Sequence, residues 1–218
     1  MKVVASWSGG KDCCYALHKA LAAGHSLLSL VNFISQGDGR SMSHGLPHQV
    51  IRAQAQALGL PLLQREATRQ TYEQELKGVI AEFKGRGLEG VVFGDIDLIE
   101  HKDWLERVCR EAGVRPIMPL WGLKPDDIVS GFLDEGFEAI IVSIRADLGP
   151  EWPGQRFDRS FLEHLARQGI HPCGESGEYH TLVVDGPLFK HRLEVNGGRP
   201  VLRDGYWFWE LSGYGGEG

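Results

Sequence analysis

The chain has 218 residues, 42% of them hydrophobic and 24% charged, with a formal net charge of −6. That length suffices for one large or two small domains around a real apolar core, and the acidic balance argues against a primary role on nucleic acid. No apolar run approaches the ~18 residues of a membrane span, and the N-terminus enters a strand without a signal-peptide pattern, which points to a cytoplasmic protein. In chain order, residues 3–5, 27–33, 62–65, 90–94 and 115–118 are short apolar runs without clean alternation, as expected of parallel strands buried on both faces. Between them the pattern predicts helices over 12–23, 48–58, 72–86 and 101–112. Gly24, Gly59, Gly87 and Gly113 follow as stop signals. The recurrence of helix, glycine and strand predicts an α/β fold with a doubly wound parallel sheet. Ligands of such sheets sit at the carboxyl ends of the strands. Ser8-Gly9-Gly10, the 35–45 loop and Gly94-Asp95 all fall there.

Near Pro119-Leu120-Trp121-Gly122 the pattern changes, and the chain is divided into a first domain, 1–122, and a smaller α+β domain, 123–218. The second part reads as a helix over 125–135, a strand over 139–144, a long loop to Asp158, a helix over 159–167, and strands over 179–184, 192–195 and 206–211. The 213–218 tail is expected to be disordered. Trp207, Phe208 and Trp209 suggest core packing or a homodimer contact, since no basic residues are interleaved with them. Cys13, Cys14, Cys109 and Cys173 make no Cys-x-x-Cys pair, so free thiols in a reducing compartment are expected.

Ser8-Gly9-Gly10-Lys11-Asp12 is the most informative string. A strand, a glycine turn and a helix N-terminus in that order make an anion site, because the free N–H groups and the positive end of the helix dipole meet at the turn. The spacing is not that of a Walker loop. The string instead resembles the pyrophosphate loop of the N-type ATP pyrophosphatases, which split ATP between its α and β phosphates. Ser43-His44-Gly45, Val92 to Ile96, Pro119-Leu120-Trp121, Pro172 to Thr181 and Asp185-Gly186-Pro187-Leu188-Phe189 join it. Together these strings resemble the diphthine–ammonia ligase family over nearly the whole chain. The short form, with Glu178-Tyr179-His180-Thr181, resembles the bacterial branch.

The resemblance implies an adenine nucleotide α-hydrolase-like first domain and an acceptor-binding second domain. It also implies an ATP-dependent amide ligase that adenylates a carboxylate, releases AMP and diphosphate, and admits ammonia. Its best-known members amidate diphthine, a modified histidine of elongation factor 2. For this chain the acceptor is left open as a small-molecule or protein-borne carboxylate. The alternatives are a pyrophosphate-loop enzyme acting on tRNA, which the acidic balance and missing Cys-x-x-Cys oppose, and a non-catalytic adenine-nucleotide sensor.

The expected roles follow from chemistry. Ser8, the N–H groups of Gly9, Gly10 and Lys11, and the Lys11 ammonium suit the leaving diphosphate. Asp12 either holds Mg²⁺ or caps the helix. Cys13 stands where the resembled family usually has Ser or Thr; its N–H remains available, and its thiol is either a packed small group or a reactive one. His44 is either a nucleotide contact or a turn residue. Gly94 closes the fourth strand, and Asp95 could bind Mg²⁺ or a ribose hydroxyl. Glu175 and Glu178 sit in a glycine-rich turn, where they could orient ammonia, accept its proton or share a Mg²⁺, with His180 beside them. Arg145 and Arg156 could grip an anionic acceptor or stand on the surface.

Overall fold

The computed structural model describes residues 1–215. Five short strands, β1 (Lys2–Ser6), β2 (Ser26–Ser35), β3 (Leu62–Ala67), β4 (Gly90–Val92) and β5 (Arg115–Ile117), form one sheet in the order β3-β2-β1-β4-β5, every pair parallel. Four helices join them: α1 (Lys11–Ala22), α2 (His48–Leu58), α3 (Tyr72–Lys84) and α4 (Ile99–Ala112). Val3 and Ala5 of β1 pack with Leu17 of α1 and Val50 and Ile51 of α2, whereas Val4 packs with Val79 of α3 and Val108 of α4. A strand buried on both faces has no place for polar alternation, which is why β1 reads as a continuous apolar run. The change of face falls between β1 and β4, and a crevice at their carboxyl ends follows from the winding. Gly59 and Gly113, at φ 64° and 66°, end α2 and α4 in the left-handed conformation that a side chain disfavours.

The rest of the chain builds α5 (Pro125–Asp134), β6 (Glu138–Arg145), α6 (Arg159–Arg167), β7 (Tyr179–Asp185), β8 (Glu194–Val195), β9 (Gly198–Arg203), β10 (Tyr206–Leu211) and β11 (Tyr214–Gly215). A second sheet runs β7-β6-β10-β9, all antiparallel, and β8 pairs with β11. Two sequence expectations change here. β9 contains Gly198 and Pro200 and is flanked by arginines, so it carries no strand pattern; it forms as an edge strand on β10, where proline is tolerated. The tail is ordered through Tyr214 and Gly215, which pair with Val195 and Glu194, while 216–218 lie outside the described residues.

One buried cluster runs through both sheets. Phe132, Ile141, Tyr179 and Leu182 share it with Val3, Leu17 and Val50, with α1 packed against β7. Three of the four aromatics of β10 are used inside the chain: Trp209 covers Gly154 and Gly198, Phe208 lies by Gly45 and under the Arg203 guanidinium, and Trp207 packs on the shared cluster. Among the described residues no helix is long and apolar enough to cross a membrane. All four cysteines are buried and unpaired.

Candidate active site

β1 ends at Ser6 and α1 begins at Lys11, with the turn between them. Gly9 sits at φ 85°, and a Cβ there would also press Ile51 Cδ1 at 2.7 Å. Gly10 is the residue before the helix, and a Cβ there would collide with the His44 ring. Gly94 lies against the helix start, where a Cβ would stand 2.8 Å from both the Asp12 carbonyl carbon and the Cys13 nitrogen. Three glycines thus bring two loops and a helix N-terminus into contact. Asp12 lies inside the first turn, and no side chain caps this helix, so the capping alternative is not realised.

A cavity of about 260 Å³ opens at this point. Ser8, Lys11, Asp12, Cys13, His44, Gly94, Asp95, Glu175 and His180 line it, while Gly9 and Gly10 shape the turn. Residues from loops more than a hundred positions apart therefore meet at one site. A second lobe of about 390 Å³ shares Ser6, Ser43, Asp95 and His101 with the first and is walled by Tyr72, Phe93 and Trp104. Phe93 belongs to the quoted 92–96 string without an assigned role, and Tyr72 and Trp104 look like ordinary helix residues in the sequence.

Lys11 differs from the mobile cation expected of it. Its side chain is 4% exposed, and its ammonium donates to Asp12 Oδ2 at 2.9 Å and to the Cys173 carbonyl, 4.7 Å from the centre of the Tyr179 ring. Burial is the largest influence and opposes the charge, but the Asp12 carboxylate, Tyr179 and Cys173 together outweigh it and hold the group protonated. Its backbone N–H is also engaged, donating to Thr181 Oγ1 at 3.0 Å. The Gly10 N–H donates to Ser8 Oγ at 3.4 Å, so two of the three N–H groups expected to face an anion are engaged within the protein, and the cation is fixed behind the turn. Ser8 donates to Cys13 Sγ at 3.3 Å, and Cys13 Sγ donates to the Gly10 carbonyl at 3.2 Å. Burial pushes the Cys13 thiol up, with the Ser8 contact opposing, so the packed-thiol alternative holds and the reactive one does not.

Three carboxylates face the cavity. Asp12 Oδ1 is buried with no protein partner. Burial raises Asp95, with His101 Nδ1 3.5 Å away acting against it. Burial, then the charges of Asp12 and Asp95, push Glu175 up to about 7, with Lys11 opposing. Among the described residues no three His, Cys, Asp or Glu side chains come close enough to hold a metal alone. On the opposite wall His44 and His180 stack, and His44 Nδ1 lies 3.1 Å from the Thr181 carbonyl. Burial, then His180, drives His44 well down, and burial with Lys11 brings His180 to about 4, so both are neutral near pH 7.

The N-terminal half of the chain matches the family model for the diphthamide synthase N-terminal domain over residues 1–116, and residues 124–214 match that for the C-terminal domain. The chain belongs to the diphthamide synthase family. It is 30% identical to the diphthine–ammonia ligase of Homo sapiens, over 93% of this chain and 85% of that protein. It is 29% identical to that of Schizosaccharomyces pombe, over 88% of this chain and 36% of a longer protein. The fold is also that of a solved structure described as a predicted subunit of tRNA methyltransferase from Methanocaldococcus jannaschii. The TM-score is 0.50 at 17% identity, covering 86% of this chain and 98% of that one.

Membership in the diphthamide synthase family makes the chain an ATP-dependent carbon–nitrogen ligase. Three residues noted in the sequence do not reach the cavity of this family member. The Glu178 carboxylate is 8% exposed and accepts from the Ser176 N–H at 3.1 Å, so it ties its own loop. β7 starts one residue later, and the Glu178 carbonyl accepts from the Arg145 N–H of β6 at 2.8 Å. Arg145 pairs with Asp147 at 2.6 Å and Arg156 with Glu138 at 3.1 Å, both on the surface. Thr181 and Gln54, in contrast, hold the loop: Thr181 closes the quoted 172–181 string without an assigned role, Gln54 belongs to no string, and their partners lie 170 and 129 positions away.

Proposed function

We propose that this chain adenylates an acceptor carboxylate with ATP and then passes the acyl group to ammonia, with diphthine on a protein as the acceptor class. What supports this reading most is that one cavity holds the Ser8–Asp12 turn, the Asp12, Asp95 and Glu175 carboxylates, and His180. The second part of the chain, from about residue 123, supplies the acceptor side, and the buried, unpaired thiols agree with a cytoplasmic setting.

In the first step a carboxylate oxygen forms a bond to the α-phosphorus and the bond to diphosphate breaks. The free N–H groups of the first turn and the helix dipole face the charge that leaves. Mg²⁺ fits Asp12 and Asp95: both offer hard oxygens, Asp12 Oδ1 lacks a protein partner, and magnesium commonly takes one or two carboxylates with substrate phosphates and water. When bound it would supply charge neutralisation on the phosphates. The rings of Tyr72, Phe93 and Trp104 give the adjoining lobe apolar faces for the adenine.

In the second step the ammonia nitrogen bonds to the acyl carbon and AMP departs. The nitrogen must shed a proton as that bond forms. Glu175, raised to about 7, is ionised enough near neutral pH to take it. His180, neutral at the same pH, can accept a hydrogen bond without repelling an incoming ammonium ion.

The test is to incubate the protein with Mg²⁺, ammonium and ATP labelled at the α-phosphate, with and without diphthine-bearing elongation factor 2. Labelled AMP that needs the acceptor, together with an amidated product, is expected, and Asp12→Asn removes both. Labelled ADP in place of AMP rejects the adenylation chemistry. AMP without amidation of this acceptor rejects diphthine and leaves another carboxylate as substrate.

A further inference from the structure

Gln54 of α2 is fully buried and lies outside the cavity, yet both N–H groups and the oxygen of its amide are engaged at the junction of three segments. Its Oε1 accepts from the indole Nε1 of Trp7 at 2.9 Å. Its Nε2 donates to the carbonyl of Gly9 at 2.9 Å and to that of Val183 in β7 at 2.7 Å. The Gly9 carbonyl in turn accepts from the Val183 N–H at 3.0 Å. A primary amide is the one uncharged side chain that gives two N–H bonds and takes one in a fixed plane, so no apolar residue can replace it there.

The position of this joint gives it meaning. Gly9 belongs to the anion turn, and β7 carries His180 and Thr181 into the opposite wall of the cavity. We infer that Gln54 is a positioning residue for the ligase reaction, fixing the spacing between the phosphate-binding turn and the wall that receives the acceptor. The inference rests on the ligase reading above. Binding of ATP needs only the turn, whereas transfer between ATP and acceptor needs both walls in register, and small misplacement of reacting groups costs rate steeply. Loss of the joint therefore acts on kcat and spares the affinity for ATP.

Two variants and two readouts test it. Gln54→Met keeps the length and removes the bonds. Gln54→Glu keeps the acceptor facing Trp7 but sets a carboxylate against two carbonyl oxygens, a repulsion that protonation relieves. In Gln54→Met, amidation of diphthine-bearing elongation factor 2 is expected to fall about 10-fold or more in kcat, with the dissociation constant for ATP changed less than about threefold. The ratio of Gln54→Glu to wild-type kcat is expected to climb several-fold from about pH 8 to about pH 6. Hydrogen exchange on the nucleotide-free protein reads the joint without turnover: the Val183 and Lys11 amides exchange faster in Gln54→Met, and the amides of α3 and α4 do not.

Unchanged exchange at Val183 and Lys11 overturns the inference even if the wild-type protein proves inactive on this acceptor. An equal loss of ATP affinity and kcat overturns it too, because the turn alone would then be damaged. A flat pH ratio in Gln54→Glu with retained folding does the same. An inactive wild-type protein whose Gln54→Met variant shows the local exchange change rejects the choice of acceptor and supports the joint.

Discussion

The His44 imidazole lies on that of His180, with ring centres 4.4 Å apart and planes 25° from parallel. Two half-buried bases in contact cannot both charge cheaply, and loss of hydration first holds each below its ordinary range. In the unfolded chain an imidazole takes a proton near pH 6.5, whereas folded His180 refuses one until about 4. The unfolded state then binds more protons in that window, so stability falls as pH drops through it. His180→Asn should remove that part of the slope, on the order of 3 kcal/mol between about pH 6.5 and about pH 4. Urea unfolding at several pH values measures it, and parallel curves for variant and wild type would reject the neutral pair.

Lys11 and Asp12 form a pair with one partner buried. Lys11→Met leaves Asp12 without its cation and the Cys173 carbonyl without its donor. A loss of about 2–4 kcal/mol is expected, with Asp12→Asn restoring part of it in the double variant. Chemical denaturation of the four members of the cycle gives the coupling; strict additivity would mean that the pair stores nothing.

Gly94 has no room for a methyl group, since its nearest neighbours are backbone atoms of Asp12 and Cys13. Gly94→Ala is expected to cost about 1–3 kcal/mol and to weaken ATP binding together with stability. Calorimetric titration and thermal melting check both. Wild-type values in the two measurements would show that the loop can shift at no cost.

Glu175 and Glu178 stand three positions apart but face different surroundings. Glu175→Gln should lower amide formation about 100-fold or more, because the proton acceptor is lost. Glu178→Gln keeps an oxygen for the Ser176 N–H and should stay within about threefold. Single-turnover assays with ammonium in excess separate the two, and equal losses would place Glu178 in the chemistry.

Much of this site is legible in one dimension because its parts are local. Val3 to Ala5, the two glycines and Lys11 spell strand, turn and helix within nine residues, and Gly94-Asp95 marks another strand end. What escaped depends on contacts distant in the chain. Gln54 sits in an amphipathic helix like any polar residue, and only the distant approach of Trp7, Gly9 and Val183 gives it work. The inward turn of Lys11 likewise needs Cys173 and Tyr179, which no local pattern near residue 11 announces. Strand β9 forms because β10 offers an edge, against the preference of Pro200 and Gly198.

The bond from the Lys11 N–H to Thr181 also bears on biosynthesis. The turn is among the first stretches made, yet its hydrogen-bond partner is made 170 residues later. A growing chain on the ribosome therefore lacks the finished turn until β7 has emerged and docked. Every incomplete product that stops before β7 is without that bond, so its turn carries a Lys11 N–H that has not met its partner.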